Sequence, residues 1–271
     1  MTNPLRSLLA AVPLALLPAW ALAQCSRPLQ VPVAAIGQAV TVNDGRVGGL
    51  YPGLLRSEAA KEGCKLEFIV VPRARQEMLY QIGQADLLVP ARRSAKRDAH
   101  GIFVPMIQSR AVLLSMDPQR QPIHSLTELL ARRELRVVVV RGYDYDESYQ
   151  TLIRQLNAQS RLLEATDPIS LARMLEARMA DLAVVTPTAI TGALRGDAKL
   201  RPLIDRLHFE TTDELPWGES GAYVASHSTL SPADRARVQH MLERIAKSGA
   251  AWRAFQHYYP EPDLGESVRA R

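Results

Sequence analysis

Short, uninterrupted apolar runs alternate along this chain with segments whose apolar residues recur every three or four positions, a pattern of buried strands and amphipathic helices. The run "LQVPVAA" reads as a strand, and "LYPGLLRSEAAKEG" after it places Leu50, Leu54, Leu55 and Ala59 at helical spacing with Gly63 as a stop. "LEFIVV" is a second strand, "ARQEMLYQIG" a short helix ended by Gly83, and "DLLVPA" a third strand. Strand and helix in alternation predict parallel pairing in an α/β layer fold.

The alternation restarts after "AVLLSMDPQRQPIH". Ser125 and Glu128 form a capping box in "SLTE" ahead of a helix, and "LRVVVV" follows as a strand buried on both faces. Next come the polar loop "RGYDYDES", the helix "YQTLIRQLNA", and a helix opening at "TDPISLARMLEA" with Asp167 as N-cap and Pro168 at its first position. "DLAVVTP" closes this half as another buried strand. The last quarter holds the strand-like "GAYVAS", a helix capped by Ser231 with Asp234 three residues on, and a short amphipathic helix in "AAWRAFQHYY". This tail has no strand and helix unit of its own, so it is expected to complete an existing lobe.

The first residues change the picture of where the protein works. One cation, Arg6, precedes the apolar stretch "SLLAAVPLALLPAWALA" and a small-x-small site at Ala21, Leu22 and Ala23, the grammar of a secretory signal peptide over residues 1–23. The apolar run is shorter than the ~20 residues that span a bilayer. Gln24 stands where a small residue should precede a lipidated cysteine, which argues against a lipoprotein. A periplasmic location is expected, and an exported chain has no call on nucleic acid. With 47% hydrophobic and 23% charged residues the composition is globular, and the formal net charge of +5 favours anionic small ligands or an acidic envelope surface.

Cys25 and Cys64 each lie just upstream of a strand-like run. If those runs are neighbouring parallel strands, the cysteines sit at the same sheet edge, within reach of a disulfide in an oxidising compartment. Two unpaired buried thiols are the alternative. The six histidines, His100, His124, His208, His227, His240 and His257, show no metal-ligand spacing, and no Gly-rich phosphate loop or G-x-S-x-G is present. Neither a metal, a cofactor nor a catalytic residue is expected. What remains are two polar loops beyond the carboxyl ends of buried strands, "ARRSAKR" and "RGYDYDES", where ligands bind in open α/β sheets.

At these residues the chain resembles the bacterial periplasmic solute-binding proteins of family 3, the polar amino-acid-binding group that feeds ABC importers. The likeness is carried by "GGLYPGLLRSEAAKEGCKLEFIVVP", "LYQIGQADLLVPARRSAKRDAHGIFVPM", "SLTELLARRELRVVVVRG" and "MLEARMADLAVVTPTAI", and it covers nearly the whole chain after the leader. It implies an α/β, two-lobed periplasmic binding protein fold (type II), each lobe a mostly parallel sheet flanked by helices. Residues 25–114 with 213–271 would form lobe 1 and residues 115–212 lobe 2, with hinge crossings near "SMDPQ" and "ETTDE". It also implies a monomer that closes on a small carboxylate-containing ligand, an amino acid or organic acid, and delivers it to an inner-membrane ABC permease.

The resemblance assigns roles by position. Arg97 matches the arginine that pairs with a ligand carboxylate, and Ser94 the hydroxyl residue of the same loop. Arg92 falls where relatives carry a small polar residue facing the ligand, so it would supply a second guanidinium. Arg93, Lys96 and Asp98 read as solvated charge. Arg73 and Arg75 fall in a region that often lines the cleft, with Arg75 raising its positive potential; Tyr51, Tyr143 and Trp217 would contribute aromatic surface. Gly142 and Tyr143 fall where relatives complete the carboxylate site. Departures are also clear: the family's amino-group acceptor is an Asp, and the matching position here is Thr186. Asp144, Asp146 or Glu147 could stand in for it or be solvated acids. With 6% aromatic residues, a stacking cage looks thin. Missing the acid, the site leans toward an acidic amino acid, an organic acid or a related carboxylate. Two alternatives stay open: a dehydratase-like enzyme on the same scaffold acting on a cyclic carboxylate, with Glu147 as proton donor, and a ligand-sensing module for a signalling partner.

Overall fold

The structure, a computed structural model, describes residues 24–271; the leader expected over residues 1–23 lies outside them. The chain opens with β1 (Leu29–Val33), a hairpin of β2 (Thr41–Asn43) and β3 (Arg46–Gly48), α1 (Leu50–Lys61), β4 (Leu66–Val70), α2 (Arg73–Gln81), β5 (Leu87–Arg92), α3 (Ala95–Asp98) and β6 (Gly101–Ser109). It continues through β7 (Val112–Ser115), α4 (Leu126–Ala131), β8 (Val137–Val140), α5 (Glu147–Ala158), β9 (Leu162–Ala165), α6 (Pro168–Glu176), β10 (Leu182–Val185), α7 (Pro187–Arg195) and β11 (His208–Glu210). β12 (Gly218–Ala225), α8 (Pro232–Lys247), α9 (Ala250–Tyr258), α10 (Glu261–Gly265) and β13 (Val268–Arg269) complete it.

Apart from the β2–β3 hairpin, these strands build two layers. In the first, β1 and β4 pair in parallel from Leu29 opposite Leu66 to Val33 opposite Val70. β5 lies on the other side of β1, where the Asp86 N–H donates to Gln30 O at 2.9 Å. From β5 onward the pairing is antiparallel, in the order β5, β12, β6, β13. The reason is connectivity: β6 carries the chain out toward the second sheet and β12 carries it back, so the two run in opposite directions. The second sheet has the order β11, β7, β10, β8, β9, with β8 parallel to both β9 and β10. Its central strands "VVVV" and "LAVV" are buried at every position, as two-sided helical cover requires.

Local signals account for many element boundaries. Asp167 Oδ1 accepts from Ser170 N at 2.7 Å to cap α6, and Ser231 Oγ accepts from Asp234 N at 3.1 Å to cap α8. Ser125 caps α4 through Glu128 N at 3.0 Å, while the Glu128 carboxylate takes the His124 N–H at 2.9 Å. Parallel pairing of β1 with β4 also brings the residues just ahead of each strand together, and Cys25 and Cys64 form a disulfide with their Cα atoms 4.9 Å apart.

The chain passes between the sheets at Arg110–Ala111 and across residues 211–217, because β7 already hydrogen-bonds into the second sheet. The carboxyl-terminal segment makes a third link: β13 pairs with β6 in the first sheet, while the Ser267 hydroxyl accepts from Thr188 N on α7 at 2.9 Å. Arg195 of α7 pairs with Asp263 of α10. Among the described residues no helix is long and apolar enough to cross a membrane.

Candidate functional site

The carboxyl ends of β1, β5, β8 and β10 face one another where the two sheets meet, and the loops beyond them enclose a cavity of about 100 Å³. The first lobe supplies Ile36 and Ala39 after β1, Tyr51 on the first turn of α1, Arg73 at the start of α2, Arg92 at the end of β5, and Arg97 on α3. The second supplies Tyr143, Asp144 and Tyr145 from the loop after β8, and Thr186, Thr188 and Ala189 from the turn into α7. Phe255 and Tyr259, at the end of α9, close one wall.

Arg97 is buried, 1% exposed, and its guanidinium is already gripped from within the protein. Nη2 donates to Glu77 Oε1 at 2.6 Å and Nε to Glu77 Oε2 at 3.1 Å, a two-pronged pair with a carboxylate one helix away. Nη1 donates to Arg92 O at 2.7 Å and, across to the other lobe, to Asp144 O at 3.3 Å. Arg73, 5% exposed, shares the same acid through Nη2 at 2.6 Å and spends Nη1 on Gln76 Oε1 and Pro90 O, both at 2.9 Å. One carboxylate thus serves two guanidinium groups. Burial pushes the Glu77 carboxyl up, but Arg73 and then Arg97 outweigh it and hold it below the usual carboxylate range. The two arginines differ. Burial lowers the pKa of Arg73 despite Glu77, whereas for Arg97 the Glu77 pair overcomes burial and raises it.

Arg92 is held as well: Nη1 donates to Ser109 O at 3.0 Å, and Nη2 to Pro216 O at 2.9 Å with Asp146 at 3.4 Å across the cleft. A β-carbon at Gly218 would lie 2.2 Å from Nη2, so only glycine lets the strand approach the guanidinium this closely. Tyr145 sits 5.8 Å from the Arg92 guanidinium carbon, and its hydroxyl accepts from Thr186 N at 3.1 Å. Gly142, at φ +84°, packs its backbone on α2 of the opposite lobe; a β-carbon there would lie 2.7 Å from Ala74 N.

The cavity is more aromatic than a 6% content suggests. Tyr51, Tyr143, Tyr145, Phe255 and Tyr259 all line it, with Tyr51 edge-on to Phe255 at 6.1 Å and Tyr143 edge-on to Tyr145 at the same separation. Three polar atoms of its lining are buried without a hydrogen-bond partner: Tyr51 Oη, Tyr143 Oη and Arg73 Nε. Ser220 lies beside the Tyr51 hydroxyl but makes no bond of normal geometry to it; its own hydroxyl donates to Ala91 O at 3.3 Å. Burial raises the pKa of both hydroxyls well above the usual phenol value.

Of the residues singled out in the sequence, Arg97, Arg92, Arg73, Tyr51, Tyr143, Asp144 and Thr186 come together here. Ser94 and Gly142 face a separate outer groove of about 740 Å³ between α2, α3 and α5. Arg75 is exposed, with Met78 Sδ as its neighbour at 3.7 Å, and lies outside the cavity, because the first turn of α2 aims Arg73 inward and turns Arg75 to solvent. Trp217 is also elsewhere, flanked by Arg110 at 4.8 Å and Arg269 at 4.3 Å. Glu147, the candidate proton donor, has a side chain 82% exposed and bonded to Arg154 at 2.8 Å. Glu77, Tyr145, Phe255 and Tyr259 are functional candidates that the sequence reading passed over. For Glu77 a signal exists: it follows Arg73 by four residues on a helix, the spacing of an ion pair.

No protein-family model matches the chain, and no curated protein matches it. Solved structures share its fold. A histidine kinase sensor domain with similarity to periplasmic binding proteins superposes with a TM-score of 0.70 at 18% identity, covering 92% of this chain and 99% of that one. An amino acid ABC transporter substrate-binding protein from Streptococcus pneumoniae, bound to L-arginine, gives 0.65 at 16% identity over 85% of this chain and 93% of its own. An ancestral amino acid-binding protein, a precursor of cyclohexadienyl dehydratase, gives 0.66 at 17% identity over 86% and 96%. The chain therefore has the periplasmic-binding-protein fold, two α/β lobes joined by crossing segments around a central site.

Proposed function

We propose that the protein is an exported solute-binding protein that captures a small carboxylate between its lobes and delivers it to an ABC importer. The observation that carries this reading is the cavity itself, formed by loops of both lobes and lined by Arg73, Arg92 and Arg97, three arginines at the junction of the lobes whose acid partners are Glu77 and Asp146. Residues from both lobes meet only when the lobes are together, so a ligand bound there favours the closed form by its differential affinity. The structural likeness to a transporter's amino-acid-binding protein supports the same role. Catalysis is not required by this arrangement. The acids around the cavity are occupied, Glu77 by two arginines and Asp144 by Gln150 Nε2 at 2.9 Å, which leaves no evident proton donor aimed at a substrate. A sensing role is favoured by one observation, the likeness to a kinase sensor domain, and would use the same closure read by a different partner.

Thermal unfolding of the mature protein, refolded to remove carried-over ligand, against amino acids, dicarboxylates and aromatic or short-chain carboxylates tests this reading. Stabilisation grows as RT ln(1 + [L]/Kd), so a ligand at about a hundredfold over its Kd contributes roughly 2.7 kcal/mol. For a chain of this size that is a rise in Tm of about 5 to 10 °C. No rise with any carboxylate would sink the proposal.

A further inference from the structure

The anion-binding duties of the cavity's arginines are unevenly available. Arg97 has both prongs of its fork on Glu77 and its remaining nitrogen on two main-chain carbonyls, so an incoming carboxylate would have to displace an internal one. Arg92 has its terminal nitrogens on Ser109 O, Pro216 O and Asp146. Arg73 Nε is the guanidinium N–H of the lining that is buried and unpartnered, on a side chain 5% exposed. Tyr51 Oη, on a side chain 2% exposed, and Tyr143 Oη share that condition, one from each lobe. A buried donor without an acceptor is costly, and three lining one cavity mark where an acceptor belongs.

We infer that the ligand's anionic group is received by Arg73 Nε together with the Tyr51 and Tyr143 hydroxyls, Arg97 being an internal brace for Glu77, and that the ligand is a short apolar acid without an ammonium group. This rests on the reading of the protein as a solute-binding protein. The second half is supported by where the acids are spent: Glu77 is taken by Arg73 and Arg97, Asp146 by Arg92, and Asp144, the one acid of the lining among the described residues, already accepts from Gln150. Thr186, at the position where the resemblance implies an acid for an amino group, offers a hydroxyl engaged with Tyr145 at 3.3 Å. An ammonium brought to Thr186 would lose its hydration for a neutral hydroxyl and no carboxylate at that position. Size and wall chemistry point the same way. An apolar cavity of about 150 Å³ holds benzene, so one of about 100 Å³ walled by Ile36, Ile107, Phe255 and Val268 suits a body of a few carbons. Arg73 is also the guanidinium whose burial Glu77 does not fully offset, and an added anion would complete its compensation.

Titration calorimetry with propionate and butyrate, alongside alanine and 2-aminobutyrate, tests the inference on the full protein. The unsubstituted acids are expected to bind at least tenfold more tightly than their α-amino counterparts. Tyr51→Phe and Tyr143→Phe should each weaken the best acid about tenfold, while the ligand-free Tm of each variant holds or rises, since each loses an unpartnered buried hydroxyl. A site that merely supports the fold would lose stability and affinity together. If the α-amino acids bind more tightly, or if both Tyr→Phe variants bind as the parent does, the inference fails and the solute-binding reading stands. If no probe binds the parent protein, the inference fails, and the wider carboxylate panel above decides the solute-binding reading separately.

Discussion

Glu77 decides the character of the site at the scale of single residues. It keeps two buried guanidinium groups compensated, and removing one partner of a buried charge cluster leaves the others exposed to the low dielectric. Glu77→Gln is expected to lower stability by about 3 kcal/mol, read as a fall in the urea midpoint with the slope unchanged. The pH dependence follows from the direction of its shift. Because the folded carboxyl lies below its unfolded value, its stabilisation is fully present above about pH 4.3 and is lost as pH falls through the folded pKa. The parent protein should therefore lose urea resistance on acidification through that window, and the Gln variant should lose less. The residue scale is also where the sequence was least legible. "ARRSAKR" announces a charged loop beyond a strand, and the structure buries Arg92 and Arg97 of it while leaving Arg93 and Lys96 exposed. What the loop cannot show is that Arg97 meets Glu77, 20 positions back on another element, instead of an open cleft.

Elements were read more readily, for reasons that differ from one to the next. The fully apolar runs of β8 and β10 and the capped starts of α4, α6 and α8 carry their signals within a few residues. β6 and β7 carry no strand assignment in the sequence reading: "GIFVPMIQS" holds Pro105 and no clean alternation, and β6 is a strand by virtue of β12, paired to it from more than 100 residues away. α7 was missed because Thr188, Ile190 and Thr191 are β-branched and Gly192 is helix-weakening, yet the helix is buried along most of its length by packing that overrides propensity. The disulfide belongs to this scale, since it follows from the pairing of β1 with β4. It closes a loop with a sequence separation of 39, which in the chain-entropy account corresponds to about 3 to 4 kcal/mol. Replacing both Cys25 and Cys64 by alanine should reduce unfolding free energy by that amount, measured by denaturant titration; a loss below about 1 kcal/mol would show that the bridge constrains little.

For the whole molecule, several contacts between lobes are polar, beside Ile36, which packs against the core of each lobe. Arg97 reaches Asp144 O, Arg92 reaches Asp146, Gln38 Nε2 reaches Gly192 O at 3.3 Å, and Gly142 lies against Ala74. Such a junction can separate without exposing a large apolar core, because the main clusters lie within the lobes on their own sheets. A ligand in the cavity between Tyr51 and Tyr143 would add contacts to both sides at once and shift the population toward closure. The two-sheet α/β architecture was foreshadowed in the sequence by the restart of the strand and helix alternation. The carboxyl-terminal link through Ser267 and Asp263 was not, because it depends on which lobe the last helix happens to face.

The most direct measurement is small-angle X-ray scattering of refolded protein spanning residues 24–271, with and without the carboxylate that raises its Tm most. The account predicts a smaller radius of gyration and a shorter maximum dimension on saturation, as the lobes close around the acid. A scattering curve that is unchanged at saturation would contradict capture by lobe closure.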